Sequence, residues 1–307
     1  MTTPSPLLVH GVLILVSVLF GINFVAMKRI LAAMPATDWA MVRVGMATLI
    51  LVPLALSLAK VRKLPARRVM LWLLPAAILG VGANQLLFVM GLQKTTPAHS
   101  AVITATIPIL TLLAAVAARQ ERLTRRGLLG IGLATLGALI LLRADDLLRH
   151  GFAEADSAMI VGDLLTVANA TGYAIYLVMM RRIGREVEAP IATAICFCYS
   201  TLFVLPFGTG AFRESSAEIL LRADILPWAI YAIVGSTVLP YLLNVWALRH
   251  THSSQVAVYI SIQPVVATVL SILLGAPAPD ARFYLAASLV LSGLFLQALL
   301  PKARRRH

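Results

Sequence analysis

The sequence is poor in acid. Only 13 of its 307 residues are Asp or Glu, and all of them, from Asp38 to Asp280, fall in loops or at the ends of apolar runs. Proton relays inside membranes are usually built from Asp, Glu or His, so a carrier that exchanges cations for protons through a buried acid is disfavoured. The six histidines (His10, His99, His150, His250, His252, His307) are scattered, with no pair on one helical face to hold a metal. There is no G-x-x-x-x-G-K phosphate loop, which removes ATP-driven work by this chain alone. The only two cysteines, Cys196 and Cys198, stand two apart in an apolar run, where neither a disulfide nor a metal site is suggested. No cofactor is expected.

What is abundant is apolar surface, at 60% of residues against 13% charged. Apolar runs of about 20 residues, the length that crosses a bilayer core about 30 Å thick, follow one another along the chain. Ten spans are expected, near 9–29, 38–59, 69–92, 97–118, 126–143, 160–180, 190–211, 225–248, 253–275 and 283–301. They leave no room for a soluble catalytic module. The first run has no basic segment between Met1 and Pro6, so it reads as a retained span rather than a signal peptide.

The net charge of +13 would suggest nucleic acid in a soluble protein, but its distribution speaks for topology. With the N-terminus in the cytoplasm, seventeen Lys and Arg fall on cytoplasmic loops and eight on the opposite side. The positive-inside bias therefore places both termini in the cytoplasm, and no nucleic-acid partner is expected.

The chain also reads one pattern twice. Phe20-Gly21-Ile22-Asn23 is echoed 153 residues later by Tyr173-Ala174-Ile175-Tyr176. Leu92, Thr95, Ala101, Val102, Pro108, Arg126, Leu129, Leu133 and Gly137 recur identically 156 residues on, from Leu248 to Gly293. Five spans per copy bring the second copy in from the other side of the membrane. The expected fold is an all-α membrane protein of ten transmembrane helices, built as two inverted-topology five-helix repeats (1–148 and 157–307) around a central cavity. The link between them carries Asp145, Asp146, Glu154 and Asp156, an acidic outer loop.

Polar stripes point to that cavity. Thr166, Asn169, Tyr173 and Tyr176 share one face of the sixth span; Thr237, Tyr241 and Asn244 one face of the eighth; Gln255, Tyr259 and Gln263 one face of the ninth. Ser100, Thr104 and Thr111 form a weaker stripe on the fourth. Asn23 and Gln85 are the repeat mates of Tyr176 and Tyr241. Any one of these side chains is as readily helix–helix glue as ligand contact. Their concentration on repeat-related helices 1/6, 3/8 and 4/9 favours a cavity lined by Asn23, Gln85, Asn169, Tyr173, Tyr176, Tyr241, Asn244, Tyr259 and Gln263. Pro108, its mate Pro264, and Pro240 are expected to kink their helices and act as pivots. Arg43 is the one charge within a span, expected near the outer mouth with Asp38 as partner, or as an anchor for an anionic group. Gly127, Gly130, Gly132, Ala134 and Gly137 give the fifth span a small-residue face suited to internal packing or, less favoured, to a homodimer.

Taken together, Gly91-Leu92, Pro97-Ala98, Ile107-Pro108, the turn Arg119-Gln120-Glu121-Arg122-Leu123-Thr124, and Gly127, Gly130 and Gly137 resemble the EamA-type half-repeat of the drug/metabolite transporter superfamily. Phe20 to Phe24 with Lys28, and Arg43 early in the second span, fit the same pattern. The resemblance implies a ten-helix carrier of the bacterial inner membrane, usually an exporter of amino acids or similar metabolites. Two departures stand out: Pro277 occupies the place of Glu121 in the second copy, and Phe20 stands where Trp is common. The reading is thus a secondary transporter, not an enzyme, for a small and partly apolar solute such as an apolar or aromatic amino acid. A drug or other-metabolite efflux carrier is the alternative, with a non-transporting membrane scaffold behind it. The bilayer and the small-molecule substrate are the expected partners, and the carrier is a monomer or a homodimer.

Overall fold

The computed structural model describes residues 4–58, 65–94, 100, 103–141, 157–273 and 281–298. The acidic link, the Pro277 turn, Pro97-Ala98 and the basic C-terminal tail lie outside the described residues. Among the described residues the regular structure is entirely helical.

Among the described residues six helices are long and apolar enough to cross a membrane: α1 (Pro6–Leu31), α2 (Ala36–Leu58), α3 (Arg67–Lys94), α6 (which runs Ser157–Ile183), α8 (Leu226–Leu248) and α9 (from Ser253). Between them stand the shorter α4 (Ile107–Ala117), α5 (Arg125–Leu141) and α7 (Ala189–Val204), with α10 (Ala281–Ala298) at the end. Helix starts follow ordinary capping chemistry. Ser5 accepts from the Leu8 N–H at 3.3 Å and Pro6 opens α1, where its missing N–H costs nothing. α7 is shorter than the apolar run suggests. Pro206 and Gly208 follow its end, and the chain turns there into a 3-10 turn (Thr209–Phe212) and a short connecting helix, Glu214–Leu221.

The helices pair in a regular way. α2 packs along α7, and α5 along α10. α3 packs on α6 and α1 on α8; α4 packs on α6 and α1 on α9; α4 also meets the first part of α9. Exchanging α1–α5 for α6–α10 leaves this set of pairs unchanged. The hydroxyls of Thr48 and Thr201, 153 residues apart and so repeat mates, bond to each other at 2.7 Å between α2 and α7. Close approach is made possible by small residues: a Cβ on Gly91 of α3 would meet Thr166 Oγ1 of α6 at 2.8 Å.

Packing and polarity are inverted relative to a soluble protein. The interior is one apolar cluster that also buries Asn23, Arg43, Gln85, Thr166, Asn169, Thr237 and Asn244. The outer surface carries Leu49, Leu71, Trp72, Leu129, Leu164, Leu202, Leu285 and Phe295, suited to hydrocarbon. The small-residue face of α5 is split: Gly137 is buried, whereas a Cβ at Gly132 would meet nothing.

Two of the three prolines behave differently from interior kinks. Pro108 and Pro264 each sit in the first turn of a helical segment, after turns at 105–106 and 261–262, so α9 is two pieces, Ser253–Ile260 and Gln263–Leu273. A proline in the first turn forfeits no helix bond, so at these two the break precedes the proline instead of lying at it. Pro240 differs: it lies inside the unbroken α8, where its missing N–H leaves the Ser236 carbonyl four residues back without that donor.

Candidate functional site

α3 and α8 share a feature that the residue pattern did not announce. Each contains a π-helical stretch, Ile78–Gly82 in α3 and Tyr231–Val238 in α8. The two overlap when the halves are aligned at the 156-residue repeat, with Gly80 facing Ser236 in register. Such stretches widen the backbone and leave carbonyls short of helical partners, and they recur at functional sites. Here both carbonyls take donors from side chains: Tyr241 Oη donates to Gly80 O at 2.8 Å, and Arg43 Nη2 donates to Ser236 O at 3.1 Å.

Arg43 is where the structure departs furthest from expectation. It is wholly buried at 2% exposure in the cavity wall and does not pair with Asp38. The physical reason is helical phase. Five residues apart on a helix means about 140° around its axis, so the two side chains leave α2 on different faces. Asp38 lies instead against Gly210. Arg43 shares the face of Trp39, four residues before it, toward α1. Its Nε donates to Thr237 Oγ1 at 2.6 Å, Nη2 also donates to Ser236 Oγ at 3.1 Å, and Nη1 reaches Met27 Sδ at 3.8 Å. Ser236 Oγ in turn donates to Asn23 Oδ1 at 2.7 Å. One network thus ties α1, α2 and α8 to a single cation.

Beside this network lies a central cavity, leaving up to about 520 Å³ free of protein atoms with its mouth included. The enclosed part alone is about 70 Å³, room for a few waters, so the cavity must widen to take a whole solute. Its floor and walls come from both halves. Asn23, Arg43, Asn84, Gln85, Asn169 and Gln263 supply polar groups, and Phe20, Phe24, Phe88, Tyr173 and Tyr241 supply aromatic surface. Asn84 and Asn169 clasp across α3 and α6, each amide donating to the other's backbone carbonyl, at 3.4 and 2.8 Å. Phe24 meets Phe88, and Phe20 meets Tyr241, edge to face.

Of the nine side chains expected to line a cavity, six do: Asn23, Gln85, Asn169, Tyr173, Tyr241 and Gln263. The other three are placed behind the wall. Tyr176 packs on Gly80, where a Cβ would overlap its ring, and its hydroxyl finds no partner among the described residues. Asn244 donates to Tyr173 Oη at 3.0 Å, and the Tyr259 hydroxyl bonds His10 Nδ1 at 2.6 Å. Spacing told which face of each helix is polar, but not how deep along it the cavity reaches. Sequence reasoning missed Asn84, Phe24 and Phe88 as wall residues. Their only sequence signal was adjacency to Gln85 and Asn23.

A second polar cluster closes one end of the bundle. The turn after α4 presents Glu121, 7% exposed, to the end of α6 and the start of α9. Arg181 Nη1 donates to it at 3.1 Å, Ser253 Oγ at 2.9 Å and the Ser254 N–H at 3.2 Å, with the Ser254 hydroxyl also bonded. His252 Nδ1 lies 3.7 Å away, and Gln120 Nε2 donates to Val178 O at 3.0 Å. Burial would raise the Glu121 pKa, but the nearby His252 and the hydrogen bonds from Ser254 outweigh it and bring it down to about 2. A carboxylate at a helix N-terminus also meets the positive end of its dipole. Along α6 and α9 the cavity begins roughly 10–18 Å from this latch, at 1.5 Å per residue.

With the geometry in hand, likeness to known proteins can be judged. The pattern of the EamA-like transporter family matches residues 8–143 and again residues 160–299. The chain belongs to the EamA-like transporter family. It is similar to "Uncharacterized transporter YyaM" of Bacillus subtilis (strain 168), 23% identical over 268 residues that cover 85% of this chain and 84% of the relative. "Uncharacterized transporter YetK" of the same organism is 25% identical over 75% of this chain and 68% of its own length. One crystal structure superposes with a TM-score of 0.74, covering 96% of this chain and 98% of the other at 18% identity, which is a likeness of fold alone. Two family matches in one chain agree with the duplication read from the residues, and the chain is a multi-pass membrane protein of a transporter family.

Proposed function

We propose that this EamA-like protein is a secondary transporter that moves a small solute with an apolar or aromatic body outward across a bacterial inner membrane. Amino acids with such side chains are the leading substrates. The observation that carries the reading is the cavity itself: amides, one cation and five aromatic rings gathered from both halves, midway along the bundle. A scaffold protein has no use for such a chamber.

In this proposal ten spans cross the membrane as two inverted repeats, with both termini cytoplasmic. The exchange-invariant helix pairing and the bond between repeat mates Thr48 and Thr201 support that arrangement. The Glu121 latch then lies on the cytoplasmic side, where loops 4–5, 6–7 and 8–9 meet, and the structure is the conformation closed inward. Alternating access requires the latch to part and the breaks before Pro108 and Pro264 to flex.

The test is exchange in reconstituted vesicles. Labelled amino acids and a wider metabolite panel are offered, with and without an imposed pH gradient. Gln263→Ala and Tyr173→Ala should depress exchange of the carried solute at least tenfold while the protein remains folded. Absence of exchange across the whole panel, or wild-type exchange in both variants, would rule the assignment out.

A further inference from the structure

The proposed transport reading leaves open what the cargo's polar end must be, and the cavity's charge balance bears on it. Among the described residues Arg43 is the one charged side chain in the cavity wall. Its partners among the described residues are a threonine hydroxyl, a serine hydroxyl and carbonyl, and a thioether, all of them neutral. A guanidinium has five N–H donors, and four bonds are present, one of them only to sulfur at 3.8 Å. A buried cation without an anion is costly and is retained where something compensates it. Among the described residues no Asp or Glu lines the cavity to do so.

A second, independent group points the same way. Gln263 lines the cavity at 6% exposure, and its amide makes no hydrogen bond with any described residue. A buried amide with open donor and acceptor sites is held ready for a ligand or for water. Phe20, Phe24, Phe88 and Tyr173 supply apolar surface to the same wall. The cavity therefore combines a cation and open amide groups with aromatic surface, and among the described residues it offers no carboxylate to a cationic guest.

We infer that the cargo enters with a single carboxylate bound by Arg43 and Gln263 and with its apolar body against the aromatic wall. This rests on the transport reading and deepens it. An aromatic amino acid and a simple aryl-alkyl carboxylate share that chemistry. They differ in the ammonium group, for which the wall supplies amide oxygens, hydroxyls and ring faces. A planar guanidinium matches the two oxygens of a carboxylate better than a lysine ammonium does.

Four probes of one shape separate the possibilities: L-phenylalanine, 3-phenylpropionate, 3-phenylpropionamide and 2-phenylethylamine. Each is tested for thermal stabilisation of the detergent-purified protein and for exchange in vesicles. At least one of the two carboxylates should stabilise and exchange, with the amide and the amine at least tenfold weaker. Arg43→Gln should bring the carboxylates down to the level of the amide, and Arg43→Lys should retain part of the difference. If 3-phenylpropionate serves alone, the carboxylate suffices; if only phenylalanine serves, the ammonium is read as well, and both results uphold the Arg43 contact. Amide or amine binding as well as the acids in the wild-type protein would overturn the inference while leaving a transporter. Full carboxylate exchange by a folded Arg43→Gln protein would do the same. Stabilisation by the acids without exchange of any probe would uphold the contact and defeat the transport reading. No stabilisation and no exchange by any probe would defeat both.

Discussion

Replacing Glu121 by Gln removes one charge from the latch with almost no change of shape. In the folded protein burial and hydrogen bonding leave its pKa at about 2, against an ordinary value of 4.5. At 1.36 kcal/mol per unit, that difference corresponds to about 3 kcal/mol of stabilisation. The sign follows from a depressed folded pKa. The contribution is complete above about pH 4.5, where the carboxylate is charged in both states, and is lost as pH falls toward 2. The same magnitude emerges from the partner's side: removing the acid strands Arg181, itself only 8% exposed, and breaking a buried pair costs about 3–5 kcal/mol. Thermal unfolding of the detergent-purified protein, followed from pH 7 down to pH 2, is the assay. The wild type should begin well above Glu121→Gln and converge on it at low pH, while the gap stays constant above about pH 5. Equal stability at pH 7, or a gap that persists unchanged at pH 2, would refute the argument. Because the latch holds one end of the bundle, the variant should also expose that end. A cysteine placed at Ser254 in a background lacking Cys196 and Cys198 should react faster with a membrane-impermeant thiol reagent when Glu121 is Gln.

The two buried tyrosines behind and beside the cavity should respond oppositely to loss of the hydroxyl. Tyr241→Phe deprives the Gly80 carbonyl of its donor and should cost about 1–3 kcal/mol of thermal stability, because a buried acceptor is left unpaired. Tyr176→Phe removes a hydroxyl that has no partner among the described residues and should be neutral or stabilising in the same measurement. Gly80→Val should be far more damaging than either, since even a Cβ overlaps the Tyr176 ring; a folded variant with unchanged melting would show that the π stretch yields easily. In a double-mutant cycle, Thr48→Val and Thr201→Val should show a coupling of about 0.6 kcal/mol, and zero coupling would mean the bond between repeat mates contributes nothing.

Much of the fold was legible because membrane helices are written in two plain signals, run length and repeat distance. The polar faces of the sixth and eighth helices were legible too, through 3-and-4 spacing. What escaped was depth and phase. Tyr176, Asn244 and Tyr259 sit on the expected faces but are used to brace other groups, which spacing alone does not distinguish from lining a cavity. Arg43 was assigned to the mouth because it follows Asp38 closely in sequence, yet a five-residue step turns the two apart. The π stretches escaped altogether. They rest on hydrogen bonds shifted by one residue, which no residue type specifies, and only Gly80, Gly82 and Gly235 hinted that the backbone there is unusual.

The way the two copies differ supplies the last step. At the 153-residue repeat, Arg43 on α2 corresponds to Cys196 on α7, so one half presents a cation to its partner's π stretch where the other has a neutral thiol, directed at the Leu73 carbonyl at 4.0 Å. At the 156-residue repeat, Gln85 corresponds to Tyr241, whose hydroxyl serves the opposite π stretch. Two equivalent carbonyls, on Gly80 and Ser236, are thus satisfied by chemically different donors. A neutral tyrosine hydroxyl can give up its carbonyl to water with little change in electrostatic energy. A buried guanidinium that gives up its carbonyl needs an anion or bulk water in exchange. The α8 side of the cavity should therefore rearrange only when a compensating group is present, while the α3 side is free to flex without one. A carrier built this way moves its empty form reluctantly and its loaded form readily, which is the condition for exchange to outpace net flux. Counterflow in vesicles should accordingly be faster than efflux into solute-free medium, and Arg43→Gln should narrow that ratio toward one.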